Sequence, residues 1–84
     1  MNPVSSKKLL EIFKKKGLRL ATAESCTGGW IAQALTSIPG SSDVFDCGWV
    51  TYSNQAKQRC LGVDDKILAE FGAVSSQTAM AMAE

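Results

Sequence analysis

The stretch that most limits what this chain can become runs from Leu18 to Ile38. Leu18-Arg19-Leu20-Ala21 has the character of a short buried strand, extending to about Ala23. Ile31, Ala34, Leu35 and Ile38 recur at i, i+3, i+4 and i+7, the stripe of an amphipathic helix. Between them stands Thr22-Ala23-Glu24-Ser25-Cys26-Thr27-Gly28-Gly29-Trp30. The chain therefore passes from strand to helix through Ser-Cys-Thr-Gly-Gly, and a strand that runs directly into a helix is the opening of an α/β architecture.

Two readings of that turn stand side by side. The first backbone N–H groups of a helix have no intrahelical partners and favour an anion or developing negative charge. Two glycines let a ligand approach the backbone, and a hydroxyl and a thiol stand beside them. The turn is thus suited to a phosphate, a nucleophile, or both. In the plainer reading, Ser25 or Thr27 caps the helix and the glycine pair allows close packing.

The remaining elements follow from similar signals. Leu9, Leu10, Ile12 and Phe13 define an amphipathic helix from about Pro3 to Lys16, with Ser5 and Ser6 as caps and Gly17 as its end. Pro39-Gly40 stops the second helix, and Ser41-Ser42-Asp43 forms a polar loop. Val44 to Tyr52 is the most strand-like run. Its alternation puts Phe45, Cys47, Trp49 and Thr51 on one face and Asp46, Gly48, Val50 and Tyr52 on the other, with Trp49 expected in the core. Ser53-Asn54, Asp64 and Ser75 are caps for three further helices, the first two closed by Gly62 and Gly72. In the last helix Ala79, Met80 and Met82 are expected to be core contacts. Two strands make too small a sheet to stand alone. Residues 1–84 are therefore expected to be the N-terminal part of a single domain, and the edge left open would promote self-association.

Bulk properties remove several function classes. Hydrophobic residues are 45% and charged residues 20%, a composition that folds. Nine Lys plus Arg against eight Asp plus Glu leave a net charge of +1, which offers no field for nucleic acid or an anionic membrane. The lysines at 7, 8 and 14–16 are expected to solvate the first helix. No apolar run approaches the roughly 20 residues of a membrane span, and no signal-peptide core is evident, so a cytoplasmic location is expected. Cys26, Cys47 and Cys60 are widely spaced and imply neither a disulfide framework nor a zinc site. The chain has no histidine, which excludes a Ser-His-Asp or Cys-His mechanism within it.

Five motifs, in order and spacing, carry a family resemblance. They are Ala21-Thr22-Ala23-Glu24-Ser25-Cys26-Thr27-Gly28-Gly29, Pro39-Gly40-Ser41-Ser42, Tyr52-Ser53-Asn54-Gln55-Ala56-Lys57, Leu61-Gly62-Val63 and Gly72-Ala73-Val74-Ser75. Together they resemble the C-terminal domain of the competence/damage-inducible protein CinA, over nearly the whole chain from about Ser5. The resemblance implies a three-layer α/β/α sandwich around a mixed sheet, incomplete in these 84 residues. It also implies a nicotinamide-nucleotide amidohydrolase, which converts nicotinamide mononucleotide to nicotinate mononucleotide and ammonia in pyridine-nucleotide salvage. By the same resemblance Ser25 is the nucleophile, Lys57 the general base and Tyr52 a helper in proton transfer. Cys26, Thr27, Gly28 and Gly29 would bind the substrate or its oxyanion. The family domain continues through further strands and a glycine-rich segment beyond the position of Glu84.

The residues are consistent with that chemistry without requiring it. Amide hydrolysis needs a nucleophile, a base, an acid for the departing ammonia and donors for the oxyanion, with no metal or organic cofactor implied. Lysine is the nitrogen base left when histidine is absent, and a lysine base must be desolvated or set beside another cation. If the two strands are neighbours, their C-terminal ends open on one crevice, where Ser25, Tyr52 and Lys57 can meet. Cys26 is a competing nucleophile at the turn. For Lys57 taken alone, a solvated helix lysine is the simpler reading. The alternatives to catalysis are a CinA-like protein that only binds a nucleotide or a partner, and a truncated, inactive piece.

Overall fold

The computed structural model describes residues 2–84. Its elements are α1 (Pro3–Lys15), β1 (Leu20–Glu24), α2 (Trp30–Thr36), a single 3-10 turn (Ser41–Asp43), β2 (Phe45–Val50), α3 (Asn54–Leu61), α4 (Asp65–Phe71) and α5 (Ser76–Ala83). The α/β alternation expected from the sequence is the one observed.

Local chemistry explains most of the boundaries. Asn2, rather than Ser5 or Ser6, caps α1: its Oδ1 accepts from Ser5 N–H at 2.8 Å. Ser6 is buried and donates its hydroxyl to the Asn2 carbonyl at 3.1 Å. Gly17, at φ +68°, lets Leu18 N–H return to the Phe13 carbonyl and close the helix. Ser53, Asp64 and Ser75 cap α3, α4 and α5 through their side chains, as the sequence suggests. Gly62 ends α3 in the left-handed conformation.

β1 and β2 lie side by side and parallel, in register from Ala21 opposite Cys47 to Glu24 opposite Val50. An irregularity between Leu20 and Ala21 interrupts the simple alternation, since Leu20 pairs with Phe45. The Phe45 ring consequently lies 3.5 Å from where a Gly48 Cβ would be, on the side of Thr22. That differs from the simple face assignment, which grouped Phe45 with Cys47 and Trp49. Gly48 itself is required by Thr22 Oγ1, only 2.5 Å from the Cβ position.

Leu10, Leu35 and Val44 form the buried core, with Leu9, Phe13, Leu20, Ile38 and Phe45 packed around it. This cluster joins α1 and α2 to one side of the strand pair. On the other side α5 packs against β1, where Ala79 and Met82 line a cleft with Ala21, Ala23 and Trp49. Helices thus flank both faces.

Three core expectations are corrected, the first being Ala79, which lines the cleft but is itself exposed. Trp49 is 44% exposed and Met80 67% exposed. The buried residue of α5 is instead Thr78, whose hydroxyl donates to the Gly72 carbonyl at 2.7 Å. The reason is the size of the sheet: among the described residues β2 has β1 on one edge and no strand on the other. Five of its six residues remain exposed. No helix among the described residues is long and apolar enough to cross a membrane.

Candidate functional site

The parallel pairing brings the C-terminal ends of both strands together. Thr51 is buried, and both its N–H and its hydroxyl donate to the Glu24 carbonyl, at 2.8 and 3.2 Å. The segments starting at Ser25 and at Tyr52 therefore leave the same end of the sheet, as anticipated for a crevice shared by two neighbouring strands.

The Ser25–Gly29 turn is held by its flanking side chains. Cys26 sits at φ +70°, a conformation uncommon outside glycine, and Gly29 at φ +106°. A Cβ on Gly29 would lie 3.2 Å from Val50 Cγ2, so both conformation and space require glycine there. A Cβ on Gly28 would meet nothing within 4 Å. Thr27 Oγ1 accepts from Gly29 N–H at 3.3 Å and Trp30 N–H at 3.2 Å. The buried Glu24 carboxylate accepts from Ile31 N–H at 2.6 Å and Ala32 N–H at 3.1 Å.

This arrangement corrects the expectation of a free helix N-terminus. Thr27 and Glu24 already satisfy the first turn of α2, and Gly29's own N–H is also taken. The N–H groups of Cys26, Thr27 and Gly28 have no acceptor among the described residues. Thr27 does brace the helix start, as the capping reading held, whereas Ser25 does not. Glu24 was given no role in the sequence reading. Its signal was an acidic residue on an otherwise apolar strand, but the amides it reaches lie seven and eight positions away, beyond any local capping pattern.

Ser25 is half-buried beside a cavity of about 410 Å³. Cys26, Thr27 and Trp30 line it from the turn, and Val74 and Met82 from the far side. This volume lies within the range of small-molecule sites, roughly 300–1,000 Å³. Cys26 Sγ approaches Ser25 Oγ at 3.9 Å, and all three cysteines are free and exposed.

Lys57 projects from the first turns of α3 back toward the sheet. It is 1% exposed, and its Nζ donates to the Tyr52 carbonyl at 3.3 Å. No carboxylate lies within 4 Å of that nitrogen among the described residues. The solvated-lysine reading is therefore overturned. Tyr52 meets Lys57 only through its backbone, and its own side chain is exposed. The two share the Ser25 end of the sheet, but neither lines the cavity beside Ser25.

Comparison with known proteins places this geometry in context. The model of the CinA C-terminal domain matches residues 3–84. A CinA-like protein of Chloroherpeton thalassium is 60% identical over 73 residues, which are 87% of this chain and 17% of that relative. A competence/damage inducible protein from Agrobacterium tumefaciens has a crystal structure that superposes with a TM-score of 0.92 at 53% identity, covering 96% of this chain and 49% of that one. A CinA superfamily protein from Escherichia coli superposes at 0.88 with 38% identity, over 92% of this chain and 45% of its own. The chain thus spans less than a fifth of these curated relatives and about half of the solved chains.

Proposed function

This chain belongs to the CinA C-terminal domain family, and from that premise we propose that it carries the nucleophile and base of an amidohydrolase acting on nicotinamide mononucleotide. The products are nicotinate mononucleotide and ammonia, which suits pyridine-nucleotide salvage. The observation that carries the reading is Lys57, buried without a carboxylate partner at the end of the sheet from which Ser25 departs. Burial without a counter-ion is the setting in which lysines serve as bases.

In this reading Ser25 Oγ attacks the carboxamide carbon while the Lys57 amine takes its proton. The tetrahedral oxyanion accepts hydrogen bonds from the loop N–H groups at Cys26 to Gly28. The proton returns to the nitrogen of the departing ammonia with the help of Tyr52, and the C–N bond breaks to leave an acyl ester on Ser25. Water, deprotonated by Lys57, then hydrolyses the ester and regenerates Ser25. Rapid quenching of the complete gene product with substrate should yield a mass increase on the peptide containing Ser25. Turnover without any such adduct would oppose covalent catalysis.

A second reading is a CinA-like protein that binds the nucleotide without hydrolysing it. It is favoured by the cavity beside Ser25, which neither Lys57 nor Tyr52 lines. Calorimetric binding of nicotinamide mononucleotide with no ammonia release would select it.

A further inference from the structure

Glu24 is nearly inaccessible, at 5% exposure, and is tied at both ends. Its backbone carbonyl accepts two hydrogen bonds from Thr51, which fixes it to the residue that directly follows β2. Its carboxylate accepts from the N–H groups of Ile31 and Ala32, which fixes it to α2. Thr22 Oγ1 adds a longer contact at 3.5 Å. A carboxylate removed from water is tolerated only when donors replace the water, and here the helix backbone supplies them. The five residues from Ser25 to Gly29 thus form a short loop whose two ends are joined by one side chain. Within it Cys26 is held at φ +70°, and Thr27 Oγ1 accepts from the N–H groups of Gly29 and of Trp30, the first residue of α2.

We propose that Glu24 is a positioning residue for Ser25 and for the loop N–H groups of Cys26 to Gly28. Its negative charge occupies the first turn of α2, where a substrate phosphate would face a carboxylate. The loop amides are thereby left for an oxyanion, while the phosphate is recognised elsewhere. The effect of Glu24 on catalysis rests on the amidohydrolase reading. The clamp itself does not.

The test is Glu24→Gln in the complete gene product. Glutamine keeps the shape but offers a single acceptor and places an NH2 where the second acceptor was. Amide hydrogen exchange by NMR should accelerate at Ile31 or Ala32 while the β1–β2 ladder keeps its protection. Ammonia release from nicotinamide mononucleotide should show kcat falling by about 10- to 100-fold, since misplacement on the order of 1 Å costs up to about 10²-fold, with KM changed less than about threefold. Wild-type exchange at both amides overturns the clamp, and faster exchange with unchanged kcat overturns the positioning role. If Glu24→Gln does not fold, Glu24→Asp, which keeps the charge and shortens the arm, is judged by the same two readouts. If the wild type releases no ammonia, the amidohydrolase reading fails while the exchange at Ile31 and Ala32 still decides the clamp.

Discussion

Lys57 Nζ donates to the backbone carbonyl of Tyr52 at 3.3 Å, while the Tyr52 side chain stands 76% exposed. The pair is therefore joined through the main chain, and any part the phenol plays is separate from holding the lysine. Tyr52→Phe keeps the carbonyl and should change stability by less than about 0.5 kcal/mol. If the hydroxyl helps move a proton, kcat falls by about tenfold or more, against about 10²- to 10⁴-fold for a principal acid or base. An unfolding curve and ammonia release measured on one preparation check both statements.

Burial of Lys57 changes what its substitutions report. Lys57→Ala leaves a hole in a packed site and should cost about 2 kcal/mol or more, by analogy with other long buried side chains. Loss of activity in that variant would then be ambiguous. Lys57→Met fills the volume, should stay within about 1.5 kcal/mol of wild type, and should abolish turnover. Retained turnover in a folded Lys57→Met protein would remove Lys57 from the chemistry.

The two glycines of the turn should respond oppositely. Gly29→Ala puts a Cβ 3.2 Å from Val50 Cγ2 at a φ of +106°, which should cost at least about 1–2 kcal/mol. Gly28→Ala meets nothing within 4 Å and should cost less than about 0.5 kcal/mol. Chemical denaturation of the two variants gives the comparison, and equal losses would mean that the turn is held differently.

Cys26→Ser separates the two candidate nucleophiles. The thiol is exposed, and among the described residues its hydrogen-bond partner is Ser25 Oγ at 3.9 Å. The substitution should leave fold and turnover within about threefold of wild type, roughly 0.7 kcal/mol of barrier. A loss of several orders of magnitude would transfer the nucleophile to Cys26.

Much of this fold was legible because its signals are local. Ser53, Asp64 and Ser75 cap the helices that follow them, and Gly17 and Gly62 close helices with positive φ, all from short-range chemistry. The strand-to-helix turn at Ser25–Gly29 was legible for the same reason. What escaped was set by contacts distant in sequence. Glu24 reaches amides beyond the capping window, and the strand irregularity at Leu20 moves Phe45 to the side of Gly48. Lys57 appears solvated in a helix read alone, but α3 begins so soon after β2 that its first turns face back to the strand end. Trp49 has the composition of a core residue, yet too little of this chain lies over its face to bury it.

The central claim is that Ser25 attacks a carboxamide. Ammonia release from nicotinamide mononucleotide by the complete gene product, wild type beside Ser25→Ala, tests it most directly. The account predicts one ammonia per nicotinate mononucleotide from the wild type and none above background from a Ser25→Ala protein that melts within about 0.5 kcal/mol of it. Full-rate ammonia release by Ser25→Ala, or none from a folded wild type, would contradict it.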